Sequence, residues 1–235
     1  MEDTFLGLTR DDWGALWLST EIAVAAVAIS LPFGIAIGWV LARKSFPGKS
    51  VVETAVNLPL VMPPVVTGLL LLYVFGKRGW IGGWLYDWFG LEIALTWRAA
   101  VVAVAVVGFP LLVRAIRLSV AAIDPRLYQA ARSLGAGPLD AFFSVSLPLA
   151  QRGVIAGVIL AFARGLGEFG ATLMFAGIRP ETCTMAIQIY TLHNQPGDLF
   201  EQRMWRIVGA SVVLAFAALA VSEYLERRGQ RHESA

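Results

Sequence analysis

Two long stretches without a charged residue constrain the fold of this chain more than any other feature. Residues 22–41 form an uncharged run of twenty, and residues 58–75 contribute eighteen more. A bilayer core about 30 Å thick is crossed by a helix of roughly 20 apolar residues. Only 15% of the 235 residues are charged, against roughly 25% in an ordinary soluble domain. The sequence therefore predicts an all-α integral membrane protein.

The apolar pattern predicts a polytopic helical bundle with five transmembrane spans in a single domain, residues 1–235. The spans cover residues 15–41, 54–75, 96–113, 152–176 and 207–225. A sixth, N-terminal interfacial helix is left open, because Trp13 and Trp17 follow two aspartates. The acidic N-terminus at residues 1–3 lacks the basic region of a cleaved signal peptide. We therefore expect the first span to stay in the mature protein.

Lysine and arginine residues predict the orientation of the bundle. With the N-terminus outside, the cytoplasmic segments hold eleven of them and the outer segments seven, while Arg164 lies within the fourth span. Cytoplasmic loops of membrane proteins carry an excess of these residues. We therefore expect a multi-pass protein of the bacterial inner membrane, with its N-terminus outside and its C-terminus in the cytoplasm.

Several other classes of protein are disfavoured. Cys183 is the only cysteine, and the two histidines, His193 and His232, are far apart, so we predict neither a metal site nor another cofactor. A net charge of +2 indicates no nucleic-acid partner. Gly48-Lys49-Ser50 resembles the end of a phosphate-binding loop, but Arg43 occupies the position where that loop needs its first glycine. The chain is therefore not expected to be an enzyme or to hydrolyse nucleotide.

Three prolines interrupt the second predicted span. Pro59, Pro63 and Pro64 fall within six residues, and each removes a backbone donor and clashes with the preceding turn. Irregular backbone at membrane depth is tolerated only where protein buries it or water lines it. The break either shapes a translocation path or is a re-entrant or interfacial start to an ordinary span. We assign these prolines and the nearby Thr67 to the path or the bundle interior.

The fourth predicted span combines small residues with two charges. Gly153, Gly157, Ala161 and Gly165 recur every four residues, a spacing that lets helices approach closely in lipid. Arg164 and Glu168 are four residues apart, hence neighbours on one helix face. Intramembrane charges usually face the bundle interior or a wet cavity. The pair either lines the path or holds helices together, and we favour a pairing role close to the path.

Residues 124–148, between the third and fourth spans, form the predicted cytoplasmic loop. Asp124 suits an N-cap, and Pro125 suits the first helical position. Gly135 suits the C′ position of the helix that follows, and a second short helix is expected over residues 138–143. Two short helices with small residues between them predict a compact knob on which a partner can dock.

This loop is similar to the coupling loop of bacterial ABC importer membrane subunits. The family pattern is Glu-Ala-Ala, three residues, Gly, nine residues and Ile-x-Leu-Pro, and the chain keeps every spacing. It reads Gln129-Ala130-Ala131, then Gly135, then Val145-Ser146-Leu147-Pro148. The departures are Gln129 for glutamate and Val145 for isoleucine. The resemblance assigns ATPase coupling to these residues: Gln129, Ala130, Ala131, Leu134, Gly135, Ala136, Leu147 and Pro148.

The resemblance is closest to the molybdate permease branch and covers most of the chain. Matching stretches lie at residues 46–49, 58–68, 75–79, 130–136 and 160–172, whereas residues 176–184 depart from the usual pattern. It implies a type I importer fold and a homodimer of this chain. Its partners would be an ATP-binding ABC subunit on the cytoplasmic side and an extracytoplasmic molybdate-binding protein. Molybdate would cross by alternating access.

Three alternatives remain at this point. A sulfate, thiosulfate or tungstate permease of the same family would share every motif above. A secondary transporter would use Arg164 and Glu168 as its ion site, but such folds usually show two related halves within one chain, and we see none. An intramembrane enzyme would need a catalytic constellation at membrane depth, and none is apparent in the sequence.

Overall fold

The chain is described here by a computed structural model, which gives the backbone of residues 7–231 and the side chains of residues 7–220. The acidic residues 1–3 and the residues beyond Arg231 lie outside the described part. Within that part the chain is helical and contains no strand. In chain order the α-helices are α1 (Arg10–Arg43), α2 (Lys49–Val61), α3 (Pro64–Phe75), α4 (Trp80–Phe89), α5 (Trp97–Ala122), α6 (Pro125–Ser133), α7 (Pro138–Ala141), α8 (Leu147–Leu149), α9 (Gln151–Leu166), α10 (Gly170–Ala176), α11 (Met185–His193) and α12 (Asp198–Arg231).

Three of these helices, α1, α5 and α12, are long and apolar enough to cross a membrane unaided. Two bent helix pairs pass the same test, which allows up to five spans in the described residues. The prediction of an all-α polytopic bundle is therefore confirmed. Trp13 and Trp17 lie in the first turns of the continuous helix α1, so residues 10–43 contain no separate interfacial helix.

The second predicted span is not one helix. Helix α2 ends at Val61, α3 begins at Pro64, and the two axes differ by 117°. Because Pro63 and Pro64 have no backbone N–H, the hydrogen-bond ladder stops there. The ladder restarts when the N–H groups of Val66 and Thr67 donate to the Pro63 carbonyl at 2.9 and 3.1 Å. The interruption that the three prolines predicted within residues 54–75 is therefore confirmed.

The third and fourth predicted spans also differ from the observed helices. Helix α5 continues to Ala122, well beyond the predicted end at residue 113, and so includes Arg114 and Arg117. The predicted span 152–176 is divided, because α9 ends at Leu166 and α10 begins at Gly170. Helix α9 is preceded by a bend of 69° from the segment Pro138–Leu149.

Helix α5 lies at the centre of the bundle, packed against α1, α9 and α10. Its buried positions are mainly alanine and valine. They form a core with Ile22 and Ala26 of α1 and Phe175 of α10. Gly34 and Gly38 of α1 face Leu112 and Ile116 of α5 at distances that leave no room for a Cβ atom. Small residues thus bring α1 and α5 together.

The glycine repeat of α9 serves the same purpose where α9 packs on α5. A Cβ atom added at Gly157 would lie 3.0 Å from the Leu112 carbonyl oxygen. One added at Gly165 would lie 2.6 Å from Val104 Cγ1, and one added at Gly153 would overlap the Cβ of Ser119. The close helix packing predicted from this repeat is therefore confirmed.

A buried ionic network fastens the start of α1 to α11 and α12. Asp12 is 0% exposed, and its carboxylate accepts hydrogen bonds from Arg203 of α12 and Gln188 of α11, both at 3.0 Å. The same carboxylate accepts a bond from the Thr9 N–H at 2.9 Å, which completes a capping box. A carboxylate taken out of water needs such partners, and here they join elements up to 191 residues apart.

The packing of α9 on α5 predicts that Gly153→Ala destabilises the chain. Because the new methyl group would overlap Ser119, we expect an overpacking cost of about 1–3 kcal/mol. Gly14→Ala is the matched control, since a Cβ atom there has no neighbour within 4 Å, and alanine is better than glycine in a helix by about 1 kcal/mol. The free energy of unfolding would be measured by denaturant titration in mixed micelles. Equal stability of Gly153→Ala and the wild type would contradict the packing described here.

Candidate translocation and docking sites

The two helix breaks of the bundle meet side by side. Gly170, the first residue of α10, lies so close to α3 that an added Cβ atom would be 3.0 Å from Pro64 Cβ and 3.2 Å from the Val65 nitrogen. One turn further on, a Cβ atom at Gly68 would be 2.5 Å from the Ala171 carbonyl oxygen. The structure therefore brings Pro63, Pro64 and Thr67 next to the segment that holds Glu168.

Glu168 occupies the break between α9 and α10. Its side chain is buried, and Oε2 lies 2.8 Å from Arg164 Nη1. The other oxygen, Oε1, accepts a 2.8 Å hydrogen bond from the Ala171 N–H, in the first turn of α10. The predicted ion pair is confirmed, but the prediction that both residues share one helix is wrong, because α9 ends at Leu166. The carboxylate instead joins the end of one helix to the start of the next.

The polar groups at this junction include one without a partner. Thr67 is buried, and its Oγ1 has no hydrogen-bond partner among the described residues. Leaving a buried hydroxyl unsatisfied costs roughly 1–3 kcal/mol. The N-terminus of a helix carries partial positive charge, and the start of α3 lies at this junction. The Arg164 guanidinium, about one-third exposed, is paired with the Glu168 carboxylate.

Pro59 is separated from the other predicted path residues. It lies inside α2, on the far side of the 117° bend. Helix α2 packs on α5, where Glu53 Oε1 lies 2.9 Å from Arg117 Nη2. A cavity of about 230 Å³ beside this pair is lined by Asn57, Arg114 and Arg117, among others. The structure thus places Pro59 with the α2–α5 contact rather than with Glu168.

The local geometry predicted for the loop 124–148 is confirmed. The Asp124 side chain accepts a hydrogen bond from the Arg126 N–H at 2.9 Å and caps α6. Gly135 has φ +95°, a left-handed conformation that glycine adopts without steric cost. The N–H groups of Gly135 and Ala136 donate to the carbonyls of Arg132 and Ala131, both at 3.1 Å. This pair of bonds is the Schellman motif that closes many helices.

The loop, residues 124–148, forms an exposed knob. Leu134 is 89% exposed, and Gln129, Ala130, Gly135 and Pro148 are also exposed. Ala131, Ala136 and Leu147 are half-buried. The predicted second helix is longer than residues 138–143, because α7 continues through a π turn, Phe142–Ser146, into α8.

Aromatic contacts hold the knob on the end of α1. The Trp39 ring lies 5.7 Å from the Phe142 ring and 6.4 Å from the Tyr128 ring, measured between centroids. Arg43 Nη2 also donates to the Ile123 carbonyl at 2.9 Å. A movement of the knob would therefore be transmitted directly to α1.

Sequence reasoning missed a second cavity and the residues around it. This cavity, of about 590 Å³, is lined by Arg10, Asp11, Arg179, Glu181 and Cys183, among others. Burial, with Asp11 and Asp12 nearby, raises the pKa of the Cys183 thiol. The residues come from positions about 170 apart in the chain, so no local pattern could have indicated the cavity. Within the described residues, no group of three or more His, Cys, Asp or Glu could hold a metal ion.

Comparison with known sequences shows similarity to components of membrane transport systems. Residues 30–230 match the family described as "Binding-protein-dependent transport system inner membrane component". The molybdenum transport system permease protein ModB of Escherichia coli K12 is 50% identical over 94% of this chain and 96% of its own length. ModB of Haemophilus influenzae is 47% identical over 92% of this chain and 94% of its own length. The sulfate transport system permease protein CysW of E. coli K12 is 37% identical over 77% of this chain and 62% of its own length.

Solved structures show the same fold at low sequence identity. A bacterial transporter that imports the polysaccharide alginate superposes with a TM-score of 0.71, at 14% identity, over 94% of this chain and 80% of the other. The MetNI methionine transporter gives a TM-score of 0.66, at 18% identity, over 93% and 94% of the two chains. Both are ABC transporters. The chain therefore belongs to the family of inner-membrane components of binding-protein-dependent transport systems, and it is a transport subunit rather than an enzyme.

Proposed function

We propose that this chain is the membrane-spanning permease subunit of an ATP-driven importer that carries molybdate, or a closely related tetrahedral oxyanion, into the cytoplasm. The observation that supports molybdate as the substrate is the nearly full-length match to molybdenum permeases, at about 50% sequence identity. The sulfate permease match is weaker and shorter on both chains. Sulfate, thiosulfate and tungstate remain the alternatives within the same function.

The path for the anion runs past the junction of the two helix breaks. The support is physical: the start of α3, with the unpartnered Thr67 hydroxyl, packs against the start of α10. Arg164 is paired with Glu168, which lies just before α10. Discontinuous helices in transporters place half-helix N-termini toward anionic groups of the substrate. Glu168 has a second role in this proposal, because it offsets the Arg164 charge and so prevents the anion from being held too tightly.

A motor is needed because the substrate is a dianion. Moving one charge against a membrane potential costs roughly 2.3 kcal/mol per 100 mV, hence about 4.6 kcal/mol for two charges. That cost is added to any concentration gradient. A site that only offers passive passage would therefore leave the scarce anion outside the cell.

The knob is the surface on which the motor docks. An ATP-binding ABC subunit would contact the exposed face around Ala130 and Leu134. Its movements would reach α1 through Trp39 and Arg43. Two copies of this chain would enclose one path, and an extracytoplasmic binding protein would deliver molybdate to the opposite end. The path would open outward when ATP binding closes the two motor subunits. Hydrolysis would then return the path to its starting state.

Glu168→Gln is expected to abolish or severely reduce uptake. The amide can still accept the bond from the Ala171 N–H, but it leaves the Arg164 charge without its partner. Removing one member of a buried ion pair costs roughly 3–5 kcal/mol, and the one-third exposure of Arg164 lowers this figure. Leu160→Val, on an exposed face of α9, is the control. Normal uptake together with normal thermal stability of Glu168→Gln would show that neither transport nor folding needs the Arg164–Glu168 ion pair.

Gly135→Val is expected to leave the chain inserted while detaching or uncoupling the ATPase. Valine is strained at φ +95°, so the Schellman turn at the end of α6 would be distorted. Gly137→Val is the matched control in the same knob, because Gly137 has extended backbone and open space around it. Co-purification of the ATPase, substrate-stimulated hydrolysis and vesicle uptake would be measured. If all three survive Gly135→Val unchanged, the docking role of the knob is wrong.

Single-cysteine labelling tests the orientation, in a background with Cys183→Ala. An impermeant thiol reagent applied to intact cells should modify cysteines at positions 87 and 193, while those at 49 and 132 should react only after permeabilisation. The reason is the excess of lysine and arginine on the second set of segments. Reaction at position 132 from outside would place the knob on the wrong side for any cytoplasmic motor.

A further inference from the structure

We propose that helix α4 lies in the headgroup layer of the membrane and fixes one end of the bundle at the lipid–water interface. Its partner is therefore a lipid surface, contacted by a stripe of three tryptophans. The inference goes beyond the proposed function, since it requires only that the chain be inserted in a bilayer and does not depend on what is transported.

The tryptophan stripe is the first observation. Trp80, Trp84 and Trp88 recur every four residues along α4, so they project from one side of the helix. Trp80 is 93% exposed, Trp88 is 74% exposed, and Trp84 is exposed by more than half. Ile81 and Leu85 widen the same apolar face. Exposed tryptophans that share one helix face are typical of the membrane–water interface.

The opposite side of α4 is already occupied by protein. Gly79 and Gly82 sit directly on the last turn of α3, where an added Cβ atom would overlap backbone carbonyl oxygens of Tyr73 and Phe75. The tight backbone contact fixes which side of α4 faces the bundle. The tryptophans are consequently held outward by the packing of the chain itself.

Polar contacts fix the height of α4 relative to its neighbours. Lys77, just after α3, lies 3.2 Å from Glu92 and 4.9 Å from the Tyr86 ring centroid. Arg98, at the start of α5, donates to the Glu92 carbonyl at 3.4 Å. The connection therefore stays at the level where α3 ends and α5 begins. These two helices belong to candidate spans, so that level is a membrane surface.

The side chains at this level suit lipid headgroups better than another protein. Arg78 and Arg98 are exposed here and complement the phosphates of an anionic membrane, whereas Lys77 is paired with Glu92. Tryptophan is enriched at membrane interfaces because its ring is apolar while its N–H can bond to water and headgroups. A second copy of this chain and an extracytoplasmic protein are the competing occupants, and the test below separates them from lipid.

The test uses nitroxide labels on single cysteines in the full chain with Cys183→Ala, reconstituted in vesicles of phosphatidylethanolamine and phosphatidylglycerol. Labels replace Trp84, Trp88 or Asp87, one at a time, so that the other tryptophans remain. Collision with oxygen, which concentrates in lipid, is compared with collision with a water-soluble nickel chelate. Leu160 serves as the lipid reference and Ser133, in the exposed knob, as the water reference.

We expect the ratio of oxygen to nickel collisions at positions 84 and 88 to approach that at Leu160, and the ratio at Asp87 to shift toward Ser133. Nickel access at 84 and 88 equal to that at Ser133 would overturn the proposal. Low access to both reagents with spin–spin broadening would show a second copy and overturn it equally. Nickel access at Leu160 would instead contradict insertion of α9 itself, a failure distinct from either.

Discussion

The close approach of α1 and α9 to α5 is the contact on which the rest of the structure depends. Lipid tails are as apolar as leucine, so helices in a membrane associate through packing rather than through the hydrophobic effect. Here glycines supply that packing: Gly38 faces the backbone nitrogen of Arg117, and Gly157 faces the backbone carbonyl of Leu112. Within α9 this close packing extends to Gly165, one residue before the helix ends at Leu166. Glu168 follows directly after that end.

The two helix breaks create a polar junction within an otherwise tightly packed bundle. Each break frees backbone groups that lipid cannot satisfy. The first is closed by new bonds to the Pro63 carbonyl, and the second by the Glu168 carboxylate. The knob lies at the far end of α5, joined to α1 through Trp39. A movement of the knob would therefore act first on α1.

Local features of the structure were well predicted from the sequence, and those that depend on tertiary contacts were not. The uncharged runs, the Asp124 cap and the Gly135 turn each depend on neighbouring residues, and each was predicted. The break after Leu166 was not predicted, because glycine costs a helix only about 1 kcal/mol. That break is stabilised by Glu168, which becomes a cap only when α10 turns against α3. The tryptophan repeat of α4 was present as a signal, every four residues, but it falls between two predicted spans.

The buried Asp12–Arg203 pair is another tertiary contact that could not be predicted from the sequence. Two residues 191 positions apart carry no sequence pattern that joins them, and Asp12 reads locally as a helix-capping acid. The sequence likewise indicated the pair of Arg164 and Glu168 but not its geometry. The proposed role of both residues in transport rests on the junction, and the proposed cargo rests on similarity to molybdenum permeases.

Uptake of labelled molybdate into sealed vesicles tests the central claim most directly. The chain would be reconstituted with its ATPase and a molybdate-binding protein, and molybdate accumulation would be measured with ATP supplied at the cytoplasmic face. The account predicts accumulation that requires ATP hydrolysis, persists when the proton gradient is collapsed, and is displaced by unlabelled molybdate more readily than by sulfate. Accumulation driven by a proton gradient in the absence of ATP would contradict it.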